Sequence, residues 1–183
     1  MTSSSDFLQA YEAHVWDVYG YFSYRAIPRA DAEDLTQLTF ERALKAWDRY
    51  DPQRASAKTW LLAIARNAYI DYRRRDRSGE QVSISAGGVN PGQLPSQAGP
   101  EERLGLSPEV QAAIQRLSSR EREVVALRFG GDLRGPDIAQ VLGLSLANVQ
   151  QILSRALRKV RRELERSGSR AASASAERRP EAG

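Results

Sequence analysis

The sequence predicts an all-α protein made of two small helical domains joined by a flexible linker. Apolar residues recur every three or four positions in both halves of the chain, which is the spacing of amphipathic helices. Between these halves, glycine, proline and serine are frequent and no apolar period persists, as is typical of a linker. The predicted boundaries are residues 1–77 for the first domain, 78–107 for the linker, 108–166 for the second domain and 167–183 for a disordered tail.

The composition of the 183-residue chain excludes several kinds of site. It has no cysteine, and its single histidine, His14, has no partner at ligand spacing, so we expect neither a metal nor a cofactor. The N-terminus lacks a secretory signal pattern, and no apolar run is long enough to span a bilayer, so we expect a soluble, cytoplasmic protein without membrane insertion. With 27 basic and 23 acidic residues, the net charge of +4 weakly indicates an anionic partner.

Three amphipathic helices are predicted in the first domain, over about residues 5–27, 31–47 and 56–75. Pro28 ends the first helix because proline pushes its preceding residue out of helical geometry. Asp31 is expected to cap the second helix. The predicted inner face of that second helix consists of Leu35, Leu38, Leu44 and Trp47. The buried residues predicted for the third helix are Trp60, Ile64 and Ala68.

The second domain begins with clear helix-start signals. Ser107 can cap a helix whose first residue is Pro108. Ser118 and Glu121 have the spacing of a capping box for the next helix, which Gly130-Gly131 is expected to end.

The chain then shows the pattern of a helix-turn-helix, followed by a long final helix. Ala139 is small where two helices would cross, Gly143 can adopt the left-handed backbone of a tight turn, and Ser145 can cap the second helix. No serine or threonine precedes the first helix, so Gly135 is expected to cap it and Pro136 to be its first residue. An ordinary helical hairpin shares the apolar spacing, but the alanine, the glycine and the cap together favour the DNA-binding motif.

The second helix of this motif is predicted to carry the groups that read DNA. Glutamine and asparagine can bond adenine N6 and N7 together, and arginine can bond guanine or a phosphate. The residues predicted to contact duplex DNA are Ser145, Asn148, Gln150, Gln151, Ser154, Arg155 and Arg158. We therefore expect the preferred element to contain consecutive adenines, and we expect binding to weaken with salt.

Two strings in the first domain resemble a known family. The first is Ala32-Glu33-Asp34-Leu35-Thr36-Gln37, and the second is Ile64-Ala65-Arg66-Asn67, with Trp60 before it and Asp71 after it. Together they resemble the first conserved domain of sigma-70-family RNA polymerase sigma factors, called region 2. Residues 108–165 resemble their last conserved domain, region 4. With only these two domains, the chain resembles the extracytoplasmic-function class, which implies a non-enzymatic factor that directs core RNA polymerase to promoters.

The resemblance also implies partners. The helix bearing Asp34 would dock on the clamp helices of the polymerase's largest subunit, and region 4 would meet the flap of the second-largest subunit. The residues implied in polymerase binding are Glu33, Asp34, Leu35, Gln37 and Glu41. Acidic groups there can meet arginines on a partner, although they also suit the dipole of a helix N-terminus. An anti-sigma factor for the free protein, and association with the nucleoid when active, are implied as well.

Asn67 matches the family position at which a base of the opened minus-ten element is held in a pocket. An amide can both donate and accept hydrogen bonds at the edge of an unstacked base. The residues implied in minus-ten binding are Arg66, Asn67, Asp71, Arg73 and Arg74. Tyr69 and Tyr72 are possible base-stacking groups, whereas Trp60 is expected to pack in the core. The helix-turn-helix would read the minus-thirty-five element.

Two other functions are compatible with parts of the sequence. A stand-alone helix-turn-helix regulator would bind duplex DNA tightly without polymerase. A metal-dependent nuclease would use Asp31, Glu33 and Asp34. Those three carboxylates fall on different sides of one helical turn, so they cannot converge on one ion without other ligands.

Overall fold

The described part of the chain is helical. A computed structural model describes residues 4–78 and 106–177, and these residues form seven α-helices and no strand. The helices are α1 (Ser4–Ser23), α2 (Arg29–Ala46), α3 (Ala57–Ser78), α4 (Pro108–Gln115), α5 (Ser119–Val125), α6 (Gly135–Leu142) and α7 (Leu146–Glu177). The predicted all-α class is therefore confirmed. Most of the predicted linker, residues 79–105, lies outside the described residues.

Helices α1, α2 and α3, here called the N-terminal group, pack around a dense apolar core. Its completely buried side chains include Val18, Phe22, Leu35 and Leu61. At one end, Trp60 packs edge-on against Trp47 with ring centroids 5.7 Å apart, so Trp60 has the packing role that the sequence predicted.

The start of α2 differs from the prediction. The helix begins at Arg29 with Pro28 in the N-cap position, so Asp31 lies within the first turn and is not the cap. Its carboxylate instead accepts a 2.7 Å hydrogen bond from the hydroxyl of Tyr72. Because Tyr72 belongs to α3, this bond ties the two helices together.

The buried face of α2 also differs from the prediction, most clearly at Leu44. Leu44 is 57% exposed, whereas Thr36 and Thr39 are buried. Both threonine hydroxyls donate to helix carbonyls four residues earlier, at 2.7 Å. A threonine that satisfies its hydroxyl in this way can be buried at little cost. The inner stripe therefore passes through the threonines and leaves Leu44 outside.

Helices α4 to α7, here called the C-terminal group, begin with most of the predicted caps. Ser107 accepts a 3.4 Å bond from the Val110 amide. Ser118 and Glu121 form both bonds of a capping box, at 3.3 and 2.9 Å. Helix α6 starts one residue earlier than predicted, because the extended residue Arg134, and not Gly135, occupies the N-cap position.

The last helix is longer than predicted. Helix α7 continues past Arg166 to Glu177, so the residues between them are helical and are not part of a disordered tail. Beyond Arg166, the Ser167 hydroxyl donates to the Glu163 carbonyl at 3.0 Å, and the four alanines between Arg170 and Glu177 are strong helix formers. Residues 178–183 lie outside the described part of the chain.

The N-terminal and C-terminal groups pack against each other. One continuous core contains buried residues from both groups, among them Val18, Leu62, Leu127, Ile138 and Val149. The two groups approach closely at Gly130, in the π-helical turn Ala126–Gly130 that extends α5. A Cβ atom at Gly130 would lie only 2.3 Å from the carbonyl oxygen of Gly20 on α1. Gly130 is thus needed for contact between the two groups.

Candidate polymerase and DNA interfaces

The helix-turn-helix consists of α6, a turn and the start of α7. Gly143 ends α6 in the left-handed conformation that the sequence predicted, with φ of 63° and ψ of 38°. The Leu144 amide donates to the Ala139 carbonyl at 2.9 Å, which closes the end of the helix. The Ser145 hydroxyl accepts a 3.2 Å hydrogen bond from the backbone N–H of Asn148, so Ser145 caps the second helix as predicted. The turn therefore fixes the angle between the two helices by local hydrogen bonds.

The residues that were predicted to contact duplex DNA lie on the outer side of α7, except Ser145, which caps that helix. All seven are exposed: Ser145, Asn148, Gln150, Gln151, Ser154, Arg155 and Arg158. The opposite side is anchored in the core by Val149 and Ala156, which are 1% and 0% exposed. Three of the reading residues, Gln150, Ser154 and Arg158, line one shallow depression together with Arg161. A rigid helix therefore presents amide and guanidinium groups side by side.

We expect Gly143→Ala to destabilise the C-terminal group by about 1–2 kcal/mol, the usual cost of a left-handed residue with a Cβ atom. No atom lies within 4 Å of the position of the new Cβ, so the backbone conformation is the only source of the loss. The measurement is urea denaturation followed by circular dichroism. Gly168→Ala on α7 is the matched control, since its Cβ is also uncrowded and its helical backbone accepts alanine. Equal effects of the two substitutions would contradict this account.

The outer face of α2 is acidic. Asp34, Gln37 and Glu41 are half-buried and lie three to four residues apart, so their side chains share one side of the helix. The Gln37 amide donates to the Glu41 carboxylate at 3.0 Å. Glu33 lies next to these three residues on α2 and is paired with Arg29 at 2.8 Å. We call Glu33, Asp34, Gln37 and Glu41 the acidic surface of α2.

The negative charge of Asp34 is disfavoured by its surroundings. Partial burial raises the pKa of its carboxyl, and the neighbouring charges of Asp31 and Glu33 raise it further. Within the described residues no cation forms an ion pair with Asp34. A carboxylate in this state is stabilised when a partner supplies a positive group.

Leu35 was predicted to contact the polymerase, and this assignment is wrong. Its side chain is 0% exposed and lies in the core between the helices of the N-terminal group. The apolar period of α2 had already placed it on the inner face. Leu38 is only half-buried and lies one turn after Asp34, so it is the apolar side chain next to the acidic surface.

Helix α3 carries the predicted minus-ten residues on two neighbouring faces. Asn67 and Arg74 are exposed and lie on the same side, seven residues apart. Asp71, on that side as well, forms a 2.9 Å ion pair with Arg42 of α2, which gives it a structural contact between the helices. Arg73 is exposed and pairs with Asp76 at 3.1 Å.

Arg66 lies on the adjacent face of α3 and is engaged by the C-terminal group. Its Nε atom donates to Glu123 of α5 at 2.9 Å, and its side chain is 27% exposed. Tyr69 is buried on the same face, with the Arg25 guanidinium 4.0 Å from its ring centroid. Arg25 was not singled out in the sequence, and its burial depends on contacts with residues far away in the chain.

The Tyr72 hydroxyl donates a 2.7 Å hydrogen bond to Asp31, which holds this half-buried side chain against α2. Burial raises the pKa of Tyr72, and the hydrogen bond and negative charge of Asp31 raise it further. Of the two tyrosines named as possible stacking groups, Tyr69 is buried with Arg25 over its ring, and stacking by Tyr72 stays a prediction.

The metal-dependent nuclease finds no support in the described residues. Asp31 is bonded to Tyr72 and Glu33 to Arg29, and no group of three acidic or histidine side chains in this part of the chain is placed to hold a metal ion. His14 instead lies 3.0 Å from Asp17 on its own helix. Each described helix is too short or too polar to cross a membrane.

The fold and these surfaces define a helical transcription protein with a helix-turn-helix, and comparison with known proteins agrees. The model of Sigma-70 region 2 matches residues 10–79, and that of Sigma-70 region 4 matches residues 107–160. The ECF RNA polymerase sigma factor SigC of Mycobacterium tuberculosis is 34% identical over 152 residues, which are 82% of this chain and 77% of that protein. The chain belongs to the sigma-70 family, in its extracytoplasmic-function class.

Other sigma factors are similar to this chain in sequence or in fold over most of its length. The ECF RNA polymerase sigma factor RpoE of Cereibacter sphaeroides is 28% identical over 158 residues, 86% of each protein. The structure of CnrH in complex with the cytosolic domain of CnrY has a TM-score of 0.65 and 27% identity, and it covers 89% of this chain and 90% of that chain. The sigma factor RpoE in complex with the anti-sigma factor NepR from Bartonella quintana shares the fold, with a TM-score of 0.66 and 22% identity, over 87% of this chain and 97% of that chain.

Proposed function

We propose that this sigma factor binds core RNA polymerase through the acidic surface of α2, captures the opened minus-ten element at Asn67, and reads the minus-thirty-five element with α7. The observation that carries the proposal is the placement of three separate polar surfaces, on α2, α3 and α7, each anchored by a buried opposite face. It performs no bond chemistry and needs no cofactor, and it acts in the cytoplasm at the nucleoid.

The acidic surface of α2 suits a basic partner. Asp34 has a raised pKa and no cation to pair with among the described residues, so a partner's arginine or lysine would relieve an existing penalty. The clamp helices of the polymerase's largest subunit are the proposed partner, and the flap of the second-largest subunit is proposed to meet the C-terminal group.

The exposed face of α3 suits a single strand. Asn67 offers one donor and one acceptor to the edge of an unstacked base, and its exposed position leaves that amide accessible. Arg74 lies on the same face, two turns away, where it can bind a phosphate. Arg66 and Arg73 would join them once their present carboxylate partners are displaced.

The outer side of α7 suits the major groove of duplex DNA. Asn148 and Gln151 lie one turn apart and are exposed, so both can reach base edges from one helix. Arg155 and Arg158 continue along the helix and can hold the backbone. The prediction of consecutive adenines in the minus-thirty-five element remains part of the proposal.

An anti-sigma factor is the proposed partner of the free protein. The Bartonella quintana relative was solved with the anti-sigma factor NepR, and that likeness motivates the assignment. A stand-alone regulator is the competing function. It would bind promoter duplex equally well with and without core polymerase, whereas a sigma factor should bind specifically only when the core enzyme is present.

Reconstituted transcription with bacterial core polymerase and a randomised promoter library tests the whole proposal. We expect run-off products whose start sites depend on this chain, and we expect the selected templates to share an adenine-containing upstream element. Core enzyme alone is the control. Failure of the purified chain to co-elute with core polymerase, with no inhibitor present, would leave the stand-alone regulator as the better reading.

A further inference from the structure

The first turn of α7 exposes an alanine among polar groups. Ala147 is the second residue of the helix, after the cap Ser145 and the first helical residue Leu146. Its side chain is exposed. A single exposed apolar side chain is ordinary in a folded protein, so what matters is the side of the helix on which Ala147 lies.

Ala147 lies on the side of α7 that faces away from the core. Successive residues of an α-helix are about 100° apart around its axis, so Ala147 is about 180° from Ala156 and about 160° from Val149. Those two residues are the buried anchors of α7. Gln151 lies one turn after Ala147 and Ser154 lies two turns after it, and both are exposed. These three side chains therefore form one line on the face proposed to enter the major groove.

The start of α7 is fixed in place by its own hydrogen bonds and by α6. The Ser145 carbonyl accepts a 3.1 Å bond from the backbone N–H of Val149, in addition to the cap made by the Ser145 hydroxyl. Leu146 packs on the first turn of α6, because its Cδ1 atom lies only 2.7 Å from the position that a Cβ of Gly135 would take. Leu146 is thus directed at α6, and the neighbouring methyl group of Ala147 is held on the outer face.

A methyl side chain can distinguish only one feature of the major groove. It makes no hydrogen bond, so the donor and acceptor pattern of the base edges is invisible to it. Thymine alone among the four DNA bases carries an apolar group in that groove, its C5 methyl, and small apolar side chains contact it. An alanine is also short enough to let the helix backbone approach the base edges.

The spacing of Ala147 and Gln151 matches that of neighbouring base pairs. Four residues of an α-helix rise about 6 Å, and base pairs are stacked about 3.4 Å apart. When the Gln151 amide binds adenine N6 and N7, the Ala147 methyl group therefore lies roughly one to two base pairs away. Because each adenine pairs with a thymine, the methyl group that it meets can belong to either strand.

We propose that Ala147 is a specificity-determining residue, whose methyl group packs on the C5 methyl of a thymine one or two base pairs from the adenine bound by Gln151. This inference rests on the proposed function of α7. It adds an apolar contact to the hydrogen bonds proposed for the minus-thirty-five element, and it makes recognition depend on a methyl group that no polar side chain of α7 can replace.

Deoxyuridine tests this contact, because it lacks the C5 methyl of thymidine and still pairs with adenine. The full chain is assembled with core polymerase and bound to a fluorescein-labelled duplex carrying the upstream element selected in reconstituted transcription. Each thymine of the element is replaced by deoxyuridine in turn, and affinity is measured by anisotropy at one salt concentration. We expect one position at which affinity falls about threefold to fivefold, the effect of one buried methyl group.

Three variants assign that loss to a side chain. Ala147→Ser adds a hydroxyl group to Cβ with little change in size, so it should bind the unmodified element about threefold to fivefold more weakly and lose the difference between thymine and uracil. Leu146→Ala removes the neighbouring apolar side chain and should keep that difference. Ala112→Ser, at an exposed position of α4, is the matched control and should behave like wild type. Circular dichroism checks that the helices persist.

Three results would overturn the proposal. One is a wild-type affinity that no uracil substitution lowers, which needs no protein variant. The others are a thymine–uracil difference that keeps its full size in Ala147→Ser, or one that disappears in Leu146→Ala. Each of these leaves the proposed function standing, because the selected element already shows promoter recognition. If transcription selects no upstream element, the proposed function of α7 fails, and the role of Ala147 fails with it.

Discussion

Asn67→Ala is expected to slow promoter opening about tenfold to a hundredfold while leaving assembly with core polymerase intact. An amide that bonds one base edge through two hydrogen bonds contributes about 1–3 kcal/mol to recognition. Asn67 is exposed on α3, so its truncation removes no core contact and should leave the fold unchanged. The loss should therefore fall on the step at which the base is captured.

The measurement separates two steps of initiation. Permanganate reactivity of thymines in the minus-ten element reports opening, and fluorescence anisotropy with core polymerase reports assembly. Asn148→Ala on α7 is the matched control, because it removes the same group from a surface proposed to bind duplex DNA. We expect that control to weaken minus-thirty-five recognition and to leave opening on a pre-bound promoter unchanged. Equal loss of opening and assembly in Asn67→Ala would remove the base-capture role from this residue.

Local signals predicted most of the helices. The cap at Ser107, the Ser118–Glu121 capping box and the left-handed Gly143 each depend on residues within a few positions of one another, and all three are present. Such features follow from hydrogen bonds that a short peptide segment can make by itself. They are therefore readable from sequence without knowledge of the tertiary structure.

The features that the sequence did not predict depend on tertiary contacts or on side-chain hydrogen bonds. The inner stripe of α2 passes through Thr36 and Thr39, whose hydroxyls are satisfied within the helix, and so Leu44 is exposed where hydrophobicity alone predicts burial. The contact between the helical groups depends on Gly130 meeting Gly20, more than a hundred positions earlier in the chain, and no local pattern encodes that approach.

Leu35 shows where two lines of sequence reasoning conflict. The apolar period placed it inside, and the family resemblance placed it on the polymerase surface. Its complete burial agrees with the period. A family motif can include core residues that hold the surface in shape, so membership of the motif does not by itself make a side chain a contact.

Asp34→Asn is expected to weaken association with core polymerase about tenfold to a hundredfold without weakening the fold. A hydrogen bond to a charged group contributes about 1.5–3 kcal/mol when made across an interface. In the free protein, however, the carboxylate of Asp34 is a disfavoured charge, because burial and the charges of Asp31 and Glu33 raise its pKa. Asparagine keeps the shape and removes that charge.

The raised pKa fixes the direction of the pH dependence. The folded protein retains the Asp34 proton to higher pH than the unfolded chain does, so the stability contributed by this group falls as pH rises from the ordinary aspartate value, about 4, through the raised one. Below that window both states are protonated, and wild type and Asp34→Asn should have similar thermal midpoints. At neutral pH the variant should unfold at the same temperature as wild type or at a higher one.

Thermal unfolding across pH and anisotropy with core polymerase measure the two effects. Asp48→Asn, at an exposed position after α2, is the matched control and should leave both unchanged. A variant that loses stability at neutral pH would show that Asp34 is a structural residue. Asp34→Asn is thus expected to keep or raise stability and to weaken binding, and both effects have one cause. The negative charge of Asp34 is poorly compensated in the free protein, and a positive group of the partner would compensate it in the complex.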